Sequence, residues 1–122
     1  MIGDRPAVLV VDDEPDVRRL ISRMLEEAGF SVVLAGSGSE ALQQLTDVID
    51  VAVLDIVLPG LTGPEVARQL RRARPSLPIL FVSAFPEPVV ADPAARELVQ
   101  HVLVKPFSPD QLVTAVSELL AT

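Results

Sequence analysis

The sequence predicts an α/β fold in which helices cover both faces of a five-stranded parallel sheet. Five short apolar runs alternate with longer segments, several of which have the period of an amphipathic helix. The first run, Ala7–Val11, is apolar at every position, which is typical of a strand buried on both faces. Because strands that alternate with helices are joined by right-handed crossovers, we expect the strands to be parallel and the helices to form two outer layers.

The predicted strands are the apolar runs that end at polar or turn-forming residues. They cover residues 7–11, 31–35, 51–54, 79–82 and 101–104. Five strand–helix units favour a flavodoxin-like (βα)5 three-layer sandwich with the strand order 2-1-3-4-5.

The predicted helices cover residues 14–28, 37–45, 64–73 and 108–120. In the first of them, apolar residues recur at helical spacing: Val17, Leu20, Ile21, Met24, Leu25 and Ala28. Pro15 suits its first turn, and Gly29 is a stop signal after its end. Ser37 and Ser108 are predicted to cap the second and the last helix.

Composition limits the classes of function that the chain can have. Its 122 residues, 49% of them hydrophobic, suit one packed domain over residues 1–122, with no linker or output domain in sight. The net charge of −7 disfavours direct binding to nucleic acid or to an anionic membrane. There is no cysteine, and no apolar run approaches the ~20 residues of a membrane span. We therefore expect a cytoplasmic protein.

Polar residues follow four of the predicted strands at the point where each strand ends. Asp12 and Asp13 follow the first strand, Asp55 the third, Ser83 the fourth and Lys105 the fifth. The carboxyl ends of parallel strands lie at one edge of a sheet, and strands one and three are neighbours in the predicted order. We therefore expect three carboxylates, one hydroxyl and one ammonium group to converge.

This combination of groups predicts metal-assisted phosphoryl chemistry. Neighbouring carboxylates raise one another's pKa unless cations intervene, and Lys105 together with a hard divalent ion such as Mg²⁺ would supply them. A carboxylate can also attack phosphorus and form an aspartyl phosphate. Asp55 is the expected nucleophile because it ends the central strand and precedes a loop. For Asp13 alone, a helix N-cap explains the residue equally well.

Four segments carry a resemblance to a known family: residues 8–15, 54–63, 82–84 and 104–107. In this order and at these spacings, they resemble the receiver domain of two-component response regulators over essentially the whole chain. The style of the segments is also similar to the receiver of a hybrid histidine kinase.

The resemblance implies a Mg²⁺ site. Asp13, Asp55 and the main-chain carbonyl of Val57 would ligate the ion, and Asp12 would act partly through water.

The resemblance also implies roles in signalling. Asp55 would accept a phosphoryl group from a histidine kinase or a histidine phosphotransfer domain, and Lys105 and Ser83 would contact the phosphoryl oxygens. The Lys105–Pro106 bond would be cis. Such a domain is a signalling phosphoacceptor that catalyses its own phosphorylation and dephosphorylation. It would control a protein target or output domain, and it could form a homodimer through the fourth segment, the fifth strand and the last helix.

The sequence departs from the family pattern in three places. Val102 replaces the switch aromatic three residues before the lysine, so aromatic rotation is not expected to carry the output. Between residues 85 and 100, Pro86, Pro88 and Pro93 predict a shortened or irregular fourth helix that begins near an Asp92 cap; we expect this segment to be the moving element.

The third departure concerns the surroundings of the phosphoryl group. Val57 and Phe85 are apolar where the family often has polar residues. We expect them to hinder the attacking water and to prolong the phosphorylated state.

Three other interpretations are open at this point. A haloacid-dehalogenase-type hydrolase also uses an aspartyl phosphate, but its Asp-x-Asp nucleophile motif follows the first strand, where this chain has Asp12-Asp13-Glu14. A flavin- or nucleotide-binding module needs donors for phosphate, which two aspartates would repel. A receiver fold used only as a docking module is the main rival.

His101 is interpreted as a partly buried residue at a strand edge rather than a phosphorelay histidine.

Overall fold

A computed structural model describes residues 5–58, 60–84 and 101–121. Its five strands form one parallel sheet in the order β2-β1-β3-β4-β5, which confirms the predicted topology. The strands are β1 (Ala7–Val11), β2 (Ser31–Ala35), β3 (Ile49–Asp55), β4 (Ile79–Ser83) and β5 (His101–Val104).

The helices of the described residues are α1 (Pro15–Glu27), α2 (Gly38–Gln44), α3 (Gly63–Ala73) and α4 (Pro109–Ala121). Their bounds differ from the predicted ones by a residue at the ends. The predicted short helix between residues 85 and 100, with its Asp92 cap, and Pro59 of the predicted Pro-Gly turn lie outside the described residues. None of the described helices is long and apolar enough to cross a membrane.

The predicted end signals of the helices are confirmed. Pro15 lies in the first turn of α1, and Gly29 follows that helix with a φ of 98°, a value that glycine adopts without strain. The Ser37 hydroxyl accepts a hydrogen bond from the main-chain N–H of Glu40 at the start of α2. Ser108 does the same for Gln111 at the start of α4.

Two apolar clusters cover the two faces of the sheet. Side chains alternate between the faces along each strand, so Leu9 and Leu54 pack beneath α2 and α3, whereas Val8 and Val53 pack beneath α1 and α4. All four side chains are fully buried. This arrangement is the expected three-layer sandwich.

The apolar stripe that predicts α1 is only partly covered in the fold. Leu20 is 52% exposed, since the helix turns Ile21, Ser22 and Leu25 towards the sheet. The Ser22 hydroxyl is satisfied by a 3.1 Å hydrogen bond to a carboxylate oxygen of Glu26, one helical turn further on.

Strand register brings the carboxyl ends of the strands to one edge of the sheet. Val11 at the end of β1 pairs with Leu54, so Asp12 and Asp55 follow side by side. Along the other half of the sheet, Asp55 of β3 pairs with Val82 of β4. The last residues of β4 and β5, Ser83 and Val104, pair with each other. The backbone therefore fixes the edge at which the predicted polar residues meet.

The start of α3 packs closely against the end of β3. The N–H of Gly63 donates to the carbonyl oxygen of Ile56 at 2.8 Å. A Cβ atom on Gly63 would lie 2.5 Å from the carbonyl oxygen of Asp55 and 2.7 Å from the Cα of Ile56. Because real Cβ atoms do not approach backbone so closely, this glycine lets α3 hold the β3–α3 loop in place.

We expect Gly63→Ala to lower the free energy of unfolding by about 1–3 kcal/mol, the usual cost of overpacking. Helix propensity alone would favour Ala by about 1 kcal/mol, so the sign of the change tests the contact. Urea unfolding followed by circular dichroism measures it. Gly36→Ala is the comparison variant and should cost less stability, because its Cβ would meet the flexible ends of the Arg18 and Glu40 side chains rather than backbone. A Gly63→Ala protein as stable as the comparison variant would contradict the expectation.

Candidate functional site

Asp12 is the most enclosed of the acidic residues. Its side chain is fully buried at the end of β1, and each carboxylate oxygen has a donor. Oδ1 accepts a 2.9 Å hydrogen bond from the main-chain N–H of Glu14, and Oδ2 lies 3.1 Å from Nζ of Lys105. Its main-chain carbonyl accepts a 2.8 Å hydrogen bond from Nη1 of Arg18. The local backbone and two cations therefore hold this residue in one orientation.

Asp55 lies beside Asp12 and is 7% exposed. Its Oδ1 accepts a 3.1 Å hydrogen bond from the main-chain N–H of Val57, and its Oδ2 lies 3.0 Å from Nζ of Lys105. A single ammonium group thus bridges the carboxylates that follow the first and third strands. The Asp55 side chain is 10% exposed, whereas that of Asp12 is fully buried.

Asp13 completes the acidic cluster from an exposed position. One carboxylate oxygen from each of Asp12, Asp13 and Asp55 lies within 4.8 Å of the other two. Three carboxylates at this spacing offer only oxygen ligands, which a hard cation such as Mg²⁺ prefers. The chemistry of the cluster therefore fits the predicted ion.

Burial and the contacts between Asp55 and Lys105 act in opposite directions on the pKa values of these two groups. Burial raises the pKa of Asp55, as does the negative charge of Asp12, and these effects outweigh the stabilising hydrogen bonds from Val57 and Lys105. Burial alone would lower the pKa of Lys105, but its contacts with both carboxylates raise it overall. The ammonium therefore stays charged while Asp55 carries a negative charge at an energetic cost.

The other predicted residues lie on the same edge. Ser83 is buried at the end of β4, and its carbonyl oxygen accepts a 2.9 Å hydrogen bond from the N–H of Lys105. The Lys105–Pro106 bond is cis, as the resemblance implies. Val57 is 60% exposed beside Asp55. Phe85 lies outside the described residues.

His101 stands apart from this cluster. It is half-buried and begins the edge strand β5, whereas Lys105 follows the other end of that strand. This position confirms the interpretation of His101 as a strand-edge residue.

Two residues that shape the site were missed by sequence reasoning. Arg18 donates to the main chain of Asp12, and Gly63 leaves no room for a side chain beside the main chain of Asp55. The periodicity of α1 gave no sign of Arg18, since a polar residue beside an apolar stripe is ordinarily read as solvent-exposed.

Replacing the Asp55 carboxylate by an amide should stabilise the metal-free fold near neutral pH. Because the pKa of Asp55 in the folded protein lies above the ordinary value of 3.8, folding favours its protonated form. That contribution is fully present below the unfolded-state pKa and is lost as the pH rises through the folded-state pKa. We therefore expect Asp55→Asn to raise the urea midpoint in chelator-treated buffer, and the gain to shrink as the pH falls towards the unfolded-state value.

The control for this measurement is Asp47→Asn, which removes the same charge from an exposed position. Added Mg²⁺ should stabilise the wild type more than Asp55→Asn, since an ion that binds the folded state shifts unfolding by mass action. A gain that did not depend on pH, or one matched by Asp47→Asn, would contradict the electrostatic explanation.

Comparison with known proteins identifies the family. Residues 8–117 match the family model described as the response regulator receiver domain. The chain is 38% identical over 116 residues to the sensor kinase CckA of Brucella abortus, covering 93% of this chain and 12% of CckA. It is 37% identical over 114 residues to the regulatory protein PhoP of Bacillus subtilis, covering 93% of this chain and 48% of PhoP. The chain thus spans half or less of the length of these relatives.

A solved structure agrees in fold. The response regulator TrrA of Thermotoga maritima, in complex with Mg²⁺-BeF, superposes with a TM-score of 0.84 at 32% sequence identity, over 93% of this chain and 98% of that chain. Receiver domains bind Mg²⁺ through an aspartate cluster and are phosphorylated on an aspartate. The family match, the strand order and the Asp12/Asp13/Asp55 cluster agree, and this chain belongs to the response regulator receiver domain family.

Proposed function

We propose that Asp55 is the phosphoacceptor of this receiver domain. The observation that carries the proposal is the position of its side chain, 10% exposed at the carboxyl edge of the sheet, with Oδ2 3.0 Å from Nζ of Lys105. Asp12 is fully buried, so its carboxylate is less accessible than that of Asp55, and Asp13 has no comparable contact with the lysine in the described structure. Asp55 thus combines access with a neighbouring cation.

The reaction is a nucleophilic displacement at phosphorus. A carboxylate oxygen of Asp55 attacks the phosphorus of a phosphohistidine, the new P–O bond forms as the P–N bond breaks, and the imidazole nitrogen takes up a proton from solvent. The N–H of Val57 orients one oxygen of Asp55 before the attack. Lys105 neutralises charge on the phosphoryl oxygens and then pairs with the product, while Ser83 donates a hydrogen bond to one of them.

The metal ligands in this proposal are Asp13, Asp55 and the main-chain carbonyl of Val57, with Asp12 acting partly through water. Bound Mg²⁺ supplies positive charge that offsets the negative charge of the phosphoryl group. The spacing of the three carboxylates within 4.8 Å supports this assignment.

The signal would pass to a partner through the loops that follow β3 and β4. Because residue 102 is a valine, this chain lacks the rotating aromatic that could otherwise carry the change. Val102 packs against the apolar cluster beneath α2 and α3. Phosphorylation would then shift the population of conformations around Ser83.

We further propose that residues 1–122 act as one receiver domain in the cytoplasm, where a histidine kinase or phosphotransfer domain supplies the phosphoryl group. The absence of cysteine and the family match over residues 8–117 support this assignment. The protein catalyses its own phosphorylation and dephosphorylation. β5 is an edge strand, and Val104 on it is exposed, which favours a partner or a second copy docking at the face of β5 and α4.

Intact mass spectrometry after incubation with acetyl phosphate and Mg²⁺ tests the proposal. We expect the mass of one phosphoryl group to be gained by the wild type, and no gain without Mg²⁺ or in Asp55→Asn. Asp47→Asn is the matched control and should be phosphorylated normally. If the wild type were not phosphorylated by acetyl phosphate or by a panel of histidine kinases, the fold would act as a docking module instead.

The lifetime of the aspartyl phosphate tests the role of Val57. We expect Val57→Asn to accelerate dephosphorylation by about threefold or more, equivalent to about 0.7 kcal/mol in activation free energy, because an amide beside Asp55 can orient the attacking water. Val48→Asn is the matched control, since Val48 is exposed just before β3, at the other end of that strand. Equal dephosphorylation rates for wild type and Val57→Asn would show that this side chain does not protect the phosphoryl group.

A further inference from the structure

Arg18 reaches from α1 to the backbone of the acidic cluster. The residue begins the second turn of the helix, with its N–H donating to the carbonyl oxygen of Glu14 at 2.9 Å. Its half-buried side chain runs back along the helix, and Nη1 donates a 2.8 Å hydrogen bond to the carbonyl oxygen of Asp12. That carbonyl belongs to the peptide group that joins Asp12 to Asp13.

The Asp12–Glu14 turn is thereby held at two points on either side of Asp13. The Asp12 carboxylate accepts the N–H of Glu14 at 2.9 Å, and the Asp12 carbonyl accepts the guanidinium of Arg18. Asp13 itself is exposed, so its direction depends on the backbone that carries it. Removing one of the two anchors would free the peptide plane that precedes it.

Gly36 leaves room for this guanidinium beside the β2–α2 loop. A Cβ atom on Gly36 would lie 2.8 Å from Nη1 of Arg18, closer than any ordinary contact. The atom in conflict is the far end of a flexible side chain, so an added methyl group would displace the guanidinium rather than the fold. The glycine and the arginine form one structural unit, since the first leaves the space that the second fills.

We propose that Arg18 is a positioning residue for Mg²⁺, acting through the Asp12–Asp13 peptide rather than through contact with the ion. The inference rests on the proposed function of the acidic cluster. The guanidinium of Arg18 would thus support the binding of a second cation by the three carboxylates of the cluster. A positive charge this close would by itself oppose a second cation, so the positioning effect and the charge effect have opposite signs.

The opposite signs make the proposal testable by the Mg²⁺ affinity of three variants. Arg18→Met removes both the hydrogen bond to the Asp12 carbonyl and the positive charge. Gly36→Ala displaces the guanidinium and keeps its charge. Arg19→Met is the control, because it removes a neighbouring charge that pairs only with the exposed Asp16 in the described structure. Amide chemical shifts during a MgCl₂ titration of each full chain give the dissociation constant. The Mg²⁺ dependence of phosphorylation by acetyl phosphate gives the half-saturating concentration and the maximal rate.

We expect Arg18→Met to weaken Mg²⁺ binding about tenfold, as loss of an outer partner of a metal ligand commonly does. Gly36→Ala should weaken it in the same direction, and Arg19→Met should bind as the wild type does. The half-saturating Mg²⁺ concentration should rise in parallel for the first two variants, while their maximal rates at saturating Mg²⁺ stay close to that of the wild type.

Tighter or unchanged Mg²⁺ binding by Arg18→Met would overturn the inference, as would an equal change in Arg19→Met. A lower maximal rate with unchanged Mg²⁺ affinity would also overturn it, because Arg18 would then support folding or catalysis without positioning the metal site. If Arg18→Met failed to fold, Gly36→Ala would decide the matter alone. A wild type that bound no Mg²⁺ would overturn the proposed function itself, together with this inference.

Discussion

The ammonium group of Lys105 lies between two buried carboxylates, 3.1 Å from Asp12 and 3.0 Å from Asp55, and the rest of the site depends on this bridge. A carboxylate withdrawn from water is costly unless it is paired and hydrogen-bonded. The lysine comes from the loop after β5, 93 residues from Asp12 and 50 from Asp55 in sequence. Charge balance at the site therefore requires β1, β3 and β5 to be in register.

The bridge also leaves the negative charge of Asp55 only partly compensated, and burial keeps its pKa raised. A carboxylate in this state gains from an added cation, which joins the stability of the fold to the binding of Mg²⁺.

The backbone around the bridge positions the acidic residues more than their own side chains do. Gly63 lets the start of α3 pack against the main chain of Asp55, and Arg18 holds the main chain of Asp12 from α1. Helices on opposite faces of the sheet thus support neighbouring strand ends, α3 from one layer and α1 from the other. The oxygen atoms of Asp55 are oriented before any phosphodonor arrives, because Val57 and Lys105 each hold one of them. Such preorganisation lowers the reorganisation needed for an in-line displacement at phosphorus.

Sequence patterns predicted the sheet, its strand order and the residues at its carboxyl edge, since apolar runs and the position at which each run ends are local properties. The proximity of Asp12, Asp55 and Lys105 could be predicted because parallel strands place their carboxyl ends at one edge of the sheet. The contacts of Arg18 and Gly63 could not be predicted in this way. Each depends on how closely a helix approaches a particular strand end, which is decided by packing between distant segments. The exposure of Leu20 has the same origin, because periodicity gives the spacing of an apolar stripe but not the width that the neighbouring layer covers.

A crystal structure with Mg²⁺ and beryllofluoride, a mimic of the phosphoryl group, tests most directly whether these residues converge on one phosphoryl-binding point. We expect beryllium bonded to a carboxylate oxygen of Asp55, and Mg²⁺ bound by Asp13, Asp55 and the carbonyl of Val57 at about 2.0–2.1 Å. Nζ of Lys105 should then contact a fluorine atom. Beryllofluoride on another residue, or Mg²⁺ bound away from the Asp12/Asp13/Asp55 cluster, would contradict the proposed chemistry of the site.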